Sequence, residues 1–252
     1  MPCHGASQPS FSHYYVISHR KHKTMWKPLL YKNLQKRYHI RREKPQLWTF
    51  PSHKFGYIQI PKVATRSIRK AFAKASSLAA DTYPSFEAFE DDNSLHIKQD
   101  EIRDLVGSDF IFAFTRHPLS RLYSAYVNKI TDAKRAGRRN IFQCHGITLD
   151  ITFSDFVKRV CQMPDHKIDR HLRSQTWFLC NSAGVLIPDY VGHLEVFADH
   201  WEELRNKIPQ LLEIPHKNKG SHGSDYMSYY TPDTEKLARE RYAEDFLLLG
   251  YE

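Results

Sequence analysis

FGYIQIPKVATRSIRKAF, residues 55–72, decides the fold. Phe55, Tyr57, Ile58 and Ile60 have the aromatic and β-branched character of a buried strand. Pro61 removes a ladder donor and ends it, and Ile68, Ala71, Phe72 and Ala75 then recur at helical spacing. The turn PKVATRS therefore joins a strand's carboxyl end to a helix's amino end. At such a point backbone N–H groups face outward and the macrodipole favours negative charge. Lys62 and the hydroxyls of Thr65 and Ser67 can complete a cradle for a phosphate-like anion. An ordinary helix start, with Thr65 or Ser67 as N-cap and Lys62 solvated, accounts for the same residues, so the turn needs support from elsewhere in the chain.

That support is DFIFAFTRHPLSRLYSAYVNKI, residues 109–130. Ile111 to Phe114 form the unbroken apolar run of a central parallel strand, and Pro118 stands where a helix would begin. Arg116 falls in the turn and Ser124 two helical turns on, so both can reach one bound group. Arg121, Ser124 and Asn128 neighbour one another by spacings of three and four. Two strand–turn–helix units, each presenting a cation, fit one doubly wound α/β sheet with a ligand across its crest. A molecule with two separated phosphate-like groups would engage both.

With 252 residues, 41% apolar and 13% aromatic, the chain suits one main globular domain, divided here into a basic arm (1–50) and an α/β domain (51–252). No run is long enough to span a bilayer, and MPCHGASQPSFSHYY lacks the basic-then-apolar order of a secretory signal. The expected location is therefore cytoplasmic. The four cysteines form no CxxC pair, which leaves open one disulfide among Cys144, Cys161 and Cys180. Residues 1–45 hold ten of the 37 Lys and Arg but one of the 28 acids, Glu43, and the rest of the chain is neutral with 27 of each sign. This arm suits a peripheral contact with an anionic membrane, a polyanionic saccharide or RNA, or it is a solvated tail.

Along the chain, Trp26, Leu29, Leu30, Leu34 and Tyr38 predict a basic amphipathic helix, and KPQLWTFPSH reads as a link to the first strand. A helix is expected over about 66–79, then LHI as a short extended piece carrying His96, then KQDEIRDLV as a helix ending at Gly107. Residues 131–152 read as an exposed basic loop. FSDFVKRVCQM follows as a helix capped by Ser154, with a strand pair around TWFLC and VLIPDYVGHL. EVFADHWEELRNKI is an amphipathic helix, IPHKNKGSHGSDYMSYY a loop, and PDTEKLARERYAEDFLLLGY one terminal helix.

IPKVATRSIRKAF and FAFTRHPLSRLYSAYVNKI, with DRHLRSQ, DYVGHLE and YAEDFLLLGY after them, resemble the carbohydrate sulfotransferases that use 3′-phosphoadenosine 5′-phosphosulfate. The likeness is to the Golgi-type family 2 group, in a bacterial-type member, and covers about residues 55–252. It implies a P-loop-like parallel sheet flanked by helices. It also implies that Lys62 and Ala64, Thr65, Arg66 and Ser67 bind the 5′-phosphosulfate, that Arg116 and Ser124 bind the 3′-phosphate, and that Lys217, Lys219 and Ser221 close over the nucleotide. Arg66 departs from the small or hydroxyl residue usual there.

The implied reaction moves a sulfuryl group to a hydroxyl of a saccharide or glycolipid, without a metal and with no specific nucleic-acid partner. Lys62 would neutralise the leaving phosphate oxygen and His96, by placement and likeness, would deprotonate the acceptor. His171 is the second histidine, as base or as a group that orients the acceptor. Glu195 reads as structural. A nucleotide-dependent kinase on a similar cradle is an alternative, against which the turn lacks GxxxxGK[ST] and no acidic strand end is evident for magnesium. A basic polyanion-binding module is another, without a fold motif for it.

Overall fold

The computed structural model describes residues 44–50, 54–75, 86–211 and 225–252. The chain divides into units Met1–Tyr38 and His39–Glu252, and every described residue belongs to the second. The amphipathic helix expected in the arm, and Lys217, Lys219 and Ser221, lie outside the described residues.

The elements in order are β1 (Gln46–Phe50), β2 (Phe55–Gln59), α1 (Thr65–Ala75), α2 (Phe86–Asn93), β3 (Ser94–His96), α3 (Gln99–Val106), β4 (Phe110–Thr115) and α4 (Pro118–Tyr126). A π-helical turn, Val127–Thr131, then leads into α5 (Asp132–Arg135), followed by α6 (Phe153–Cys161), α7 (Thr176–Leu179), β5 (Tyr190–His193), α8 (Phe197–Lys207), α9 (Pro232–Arg241) and α10 (Ala243–Leu249).

The five strands form one sheet in the order β3-β1-β2-β4-β5. β2, β4 and β5 are parallel, as expected, while β1 runs antiparallel to β2 and β3 antiparallel to β1. KPQLWTFPSH is thus not merely a link: it supplies β1, and the sheet is mixed rather than wholly parallel. The reason is the four-residue connection from Phe50 to Phe55, which is long enough for a hairpin and too short for a crossover. β3, reversed once more, points the same way as β2, so the carboxyl ends of four strands share one crest.

All five β2 residues are buried, and the Tyr57 ring stacks on Phe112 of β4 with centroids 5.2 Å apart. Full burial of side chains such as Ile58 and Phe112 contributes about 1.5–3 kcal/mol each. A second core, with Leu122, Tyr123, Phe156 and Val160, fixes α4 against α6. It also absorbs Phe142 and Ile147, so 131–152 is not the wholly exposed loop its charges suggest.

Three further expectations are corrected. TWFL forms helix α7, because the Asp245 carboxylate accepts the N–H groups of Gln175 and Thr176 and so caps a helix start; of the expected strand pair the second holds, as β5 within VLIPDYVGHL, while the first is replaced by this helix and the bridge Cys180–Leu186. The cap of α6 is Thr152, whose hydroxyl accepts Asp155 N–H at 3.1 Å, not Ser154. The terminal helix is two, broken at Tyr242, whose buried hydroxyl donates to Leu172 O at 2.7 Å. Cys144, Cys161 and Cys180 are free thiols.

Candidate functional site

The site is built where β2 and β4, adjacent and parallel, deliver their chains to α1 and α4. After β2 the backbone turns sharply: Lys62 and Ala64 both take positive φ, 72° and 38°. For residues with a Cβ this conformation costs about 1–2 kcal/mol each. Cradles for phosphate commonly place glycine at such points; here the same curvature is held by neighbours. Thr65 Oγ1 donates back to Ile60 O at 3.1 Å and Ser67 N–H to Ala64 O at 2.9 Å. Buried Arg121 on α4 donates from Nε to Pro61 O at 3.0 Å and from Nη1 to Arg173 O at 2.6 Å. Arg121 therefore joins both strand–turn–helix units and the 169–176 segment. Its Nε and Nη1 act as a brace, while its buried Nη2 has no hydrogen-bond partner among the described residues.

Arg116 follows β4 directly. Gln175 grips its backbone from both sides, accepting Arg116 N–H at 2.9 Å and donating to Arg116 O at 2.8 Å, and Gln175 is anchored to Asp245 by its own N–H. The Arg116 side chain donates from Nε to Ser120 Oγ at 3.0 Å. Half-buried Ser124 lies one turn beyond Ser120 on the same helical face, so Arg116 and Ser124 are brought to one surface. Glu195 accepts His117 N–H at 2.8 Å and supports this turn, the structural part expected of it.

The electrostatics of the two turns converge on Lys62. Its pKa is pushed down to about 7, first by burial and then by the charges of Lys129, Arg116 and Arg66, with Asp132 pulling the other way. Arg66, though exposed, is thus close enough to act on the cradle. Burial likewise lowers Arg116, against the pull of Glu195. Four cations gathered at two strand ends form a site that a polyanion would relieve. Lys129 was not legible in the sequence as a site residue: it sits in the π-helical turn, which breaks the 3.6-residue register continuing from α4.

The two candidate histidines differ. His96 closes β3 at the crest, in register with Gln46 and through it with Gln59 at the end of β2, about 10 Å across two strand spacings. Its Nδ1 is 3.4 Å from Lys44 O. His171 lies in the segment that Arg121 ties to the Lys62 turn, and its Nδ1 is 2.6 Å from Asp169 Oδ1. Burial lowers the His171 pKa; Asp169 opposes this, and Lys129 and Arg170 reinforce it. Gln175 and Asp245 escaped the sequence reading because their partners lie far along the chain; Asp169 was signalled only by its two-residue spacing from His171.

No group of three or more His, Cys, Asp or Glu that could hold a metal occurs among the described residues. Nor, among them, is any helix long and apolar enough to cross a membrane. The family model described as the sulfotransferase family matches residues 45–252, which takes in every element of the sheet. Nothing among curated proteins or solved structures matched the chain significantly.

Proposed function

The chain belongs to the sulfotransferase family, and from that premise we propose that it moves a sulfuryl group from 3′-phosphoadenosine 5′-phosphosulfate to a hydroxyl of a carbohydrate or glycolipid. The observation that carries this reading is the convergence of Lys62, Arg66, Arg116 and Lys129 on the carboxyl ends of two adjacent strands. The donor has a phosphosulfate at one end and a phosphate at the other, matching the two turns in charge and number. The Lys62 turn, with Ala64, Thr65, Arg66 and Ser67, takes the phosphosulfate, and Arg116 with Ser124 takes the 3′-phosphate.

In the transfer, the acceptor oxygen forms a bond to sulfur as the bond from sulfur to the phosphate oxygen breaks, and negative charge grows on that leaving oxygen. Donor binding restores the full charge of Lys62, which then stands where that charge appears. The acceptor proton goes to a histidine, either His96 at the carboxyl end of β3 or His171 in the segment that Arg121 ties to the Lys62 turn. The basic arm, residues 1–45, holds the protein to an anionic surface that carries the acceptor.

The test is transfer of labelled sulfate from the donor to a panel of neutral and uronic-acid-containing saccharides and glycolipids, without magnesium. Label in a saccharide or glycolipid, abolished by Lys62→Ala, is the expected result. Phosphoryl transfer from ATP with magnesium, and none from the sulfate donor, would replace this reading with a kinase.

A further inference from the structure

The two anion-binding turns lie beyond the strand ladder that aligns them. The pairing of β2 with β4 ends at Ile58 and Ala113, three residues short of Pro61 and of Arg116. Past that point Arg121 links the turns by hydrogen bonds. Its Nε–H reaches Pro61 O, the carbonyl just before Lys62, at 3.0 Å, and its Nη1 reaches Arg173 O at 2.6 Å. Two residues on, Gln175 holds the Arg116 backbone through both its N–H and its O, at 2.9 and 2.8 Å. Helix α4 closes the ring, since Arg121 N–H donates to His117 O at 2.9 Å. Each turn is therefore referenced to the other through the Arg121 guanidinium.

The far side of this ring is fixed at each N–H. Asp165 accepts Ser174 N–H at 2.9 Å, and the buried Asp245 carboxylate accepts the N–H groups of Gln175 and Thr176 at 2.8 Å each. A guanidinium suits the span because it donates from separate nitrogens in a fixed plane, which a single ammonium cannot copy. Nη2 is left buried without a hydrogen-bond partner among the described residues. An unmet buried donor weakens a fold, so stability alone does not account for an arginine here. Holding two anion sites at one separation does.

We propose that Arg121 is the positioning residue that sets the separation of the two anion sites. It thereby sets the preference for a nucleotide with anionic groups at both its 3′ and 5′ positions over one carrying either alone. Each half-site keeps its own cation and hydroxyls without Arg121: Lys62, Thr65 and Ser67 in one, Arg116 and Ser124 in the other. A ligand with both groups gains when both engage at once, and that gain is lost when the sites are misplaced relative to each other.

This inference rests on the sulfuryl-transfer reading, and the experiment separates the two. Affinities for 3′-phosphoadenosine 5′-phosphate, adenosine 5′-phosphate and adenosine 3′-phosphate are measured by calorimetry, with displacement for the weak ligands, in wild type, Arg121→Lys and Gln175→Ala. Urea midpoints are read on the same preparations. Wild type that does not bind the doubly phosphorylated nucleotide would remove the sulfuryl-transfer reading, and this inference with it. With binding retained, wild type should favour that nucleotide over either monophosphate by about 100-fold or more. Arg121→Lys keeps the positive charge but not the bridge. It should lower affinity for the doubly phosphorylated nucleotide at least about tenfold, and for either monophosphate less than about threefold. Gln175→Ala opens the same ring at its other link, should show the same pattern, and carries the test if Arg121→Lys does not fold. Full affinity for the doubly phosphorylated nucleotide in the folded variant, or equal losses for all three nucleotides, would overturn the assignment.

Discussion

Lys62 concentrates the chemistry of the site in one side chain. In the folded chain its ammonium titrates near 7, because burial and three neighbouring cations disfavour the charge. Because the unfolded chain would hold this proton up to about 10.4, the folded form loses it first. The penalty for keeping Lys62 charged is therefore complete below about pH 7 and is relieved as pH rises from there toward 10. Ligand binding runs the other way. A polyanion favours the protonated lysine, so affinity for 3′-phosphoadenosine 5′-phosphate should fall as pH rises through 7, with proton uptake visible in buffers of different ionisation enthalpy. Lys129→Ala removes the strongest of the neighbouring charges and should move that midpoint upward. Lys62→Ala should reduce turnover by about 100-fold or more, the scale of removing one stabilising group from a developing charge; single-turnover transfer measures it.

At the scale of elements, the site depends on how closely strands and helices approach. A Cβ on Gly192 of β5 would lie 2.4 Å from Phe114 Cε1, and that ring is held by Phe197 with centroids 4.9 Å apart. Gly192→Ala should therefore destabilise the fold by about 1–3 kcal/mol, read as a lower urea midpoint with unchanged m. Gln175→Ala, which releases the backbone of Arg116, should weaken nucleotide binding about tenfold by calorimetry while leaving most of the stability in place. The two strand–turn–helix units were legible in the sequence because their signals are local: an apolar run, a proline and a helical period within 20 residues. TWFLC was not, because its helix is capped by a carboxylate almost 70 residues later. Lys129 was hidden by a π-helical turn, Val127–Thr131, which shifts the register that continues from α4. Asp169 and His171 were visible as a short spacing, but the tie of their segment to the Lys62 turn depends on Arg121 reaching two distant carbonyls, Pro61 O and Arg173 O.

For the whole molecule, charge is divided by position. The surplus of nine positive charges lies within residues 1–45, while the sheet and the family match begin at about residue 45. A chain lacking residues 1–38, the first of the two units, should keep its nucleotide affinity and lose retention on anionic vesicles at low salt. Co-sedimentation and calorimetry on the same preparation would show whether both hold. The central claim is that two adjacent strand ends hold the two phosphate-bearing ends of one donor. Its most direct test is calorimetric titration of the full chain with 3′-phosphoadenosine 5′-phosphate in the absence of magnesium, alongside Lys62→Ala and Arg116→Ala. Micromolar binding, weakened at least about tenfold by each substitution, is the predicted result. No binding by the intact chain, or binding of ATP with magnesium in its place, would contradict it.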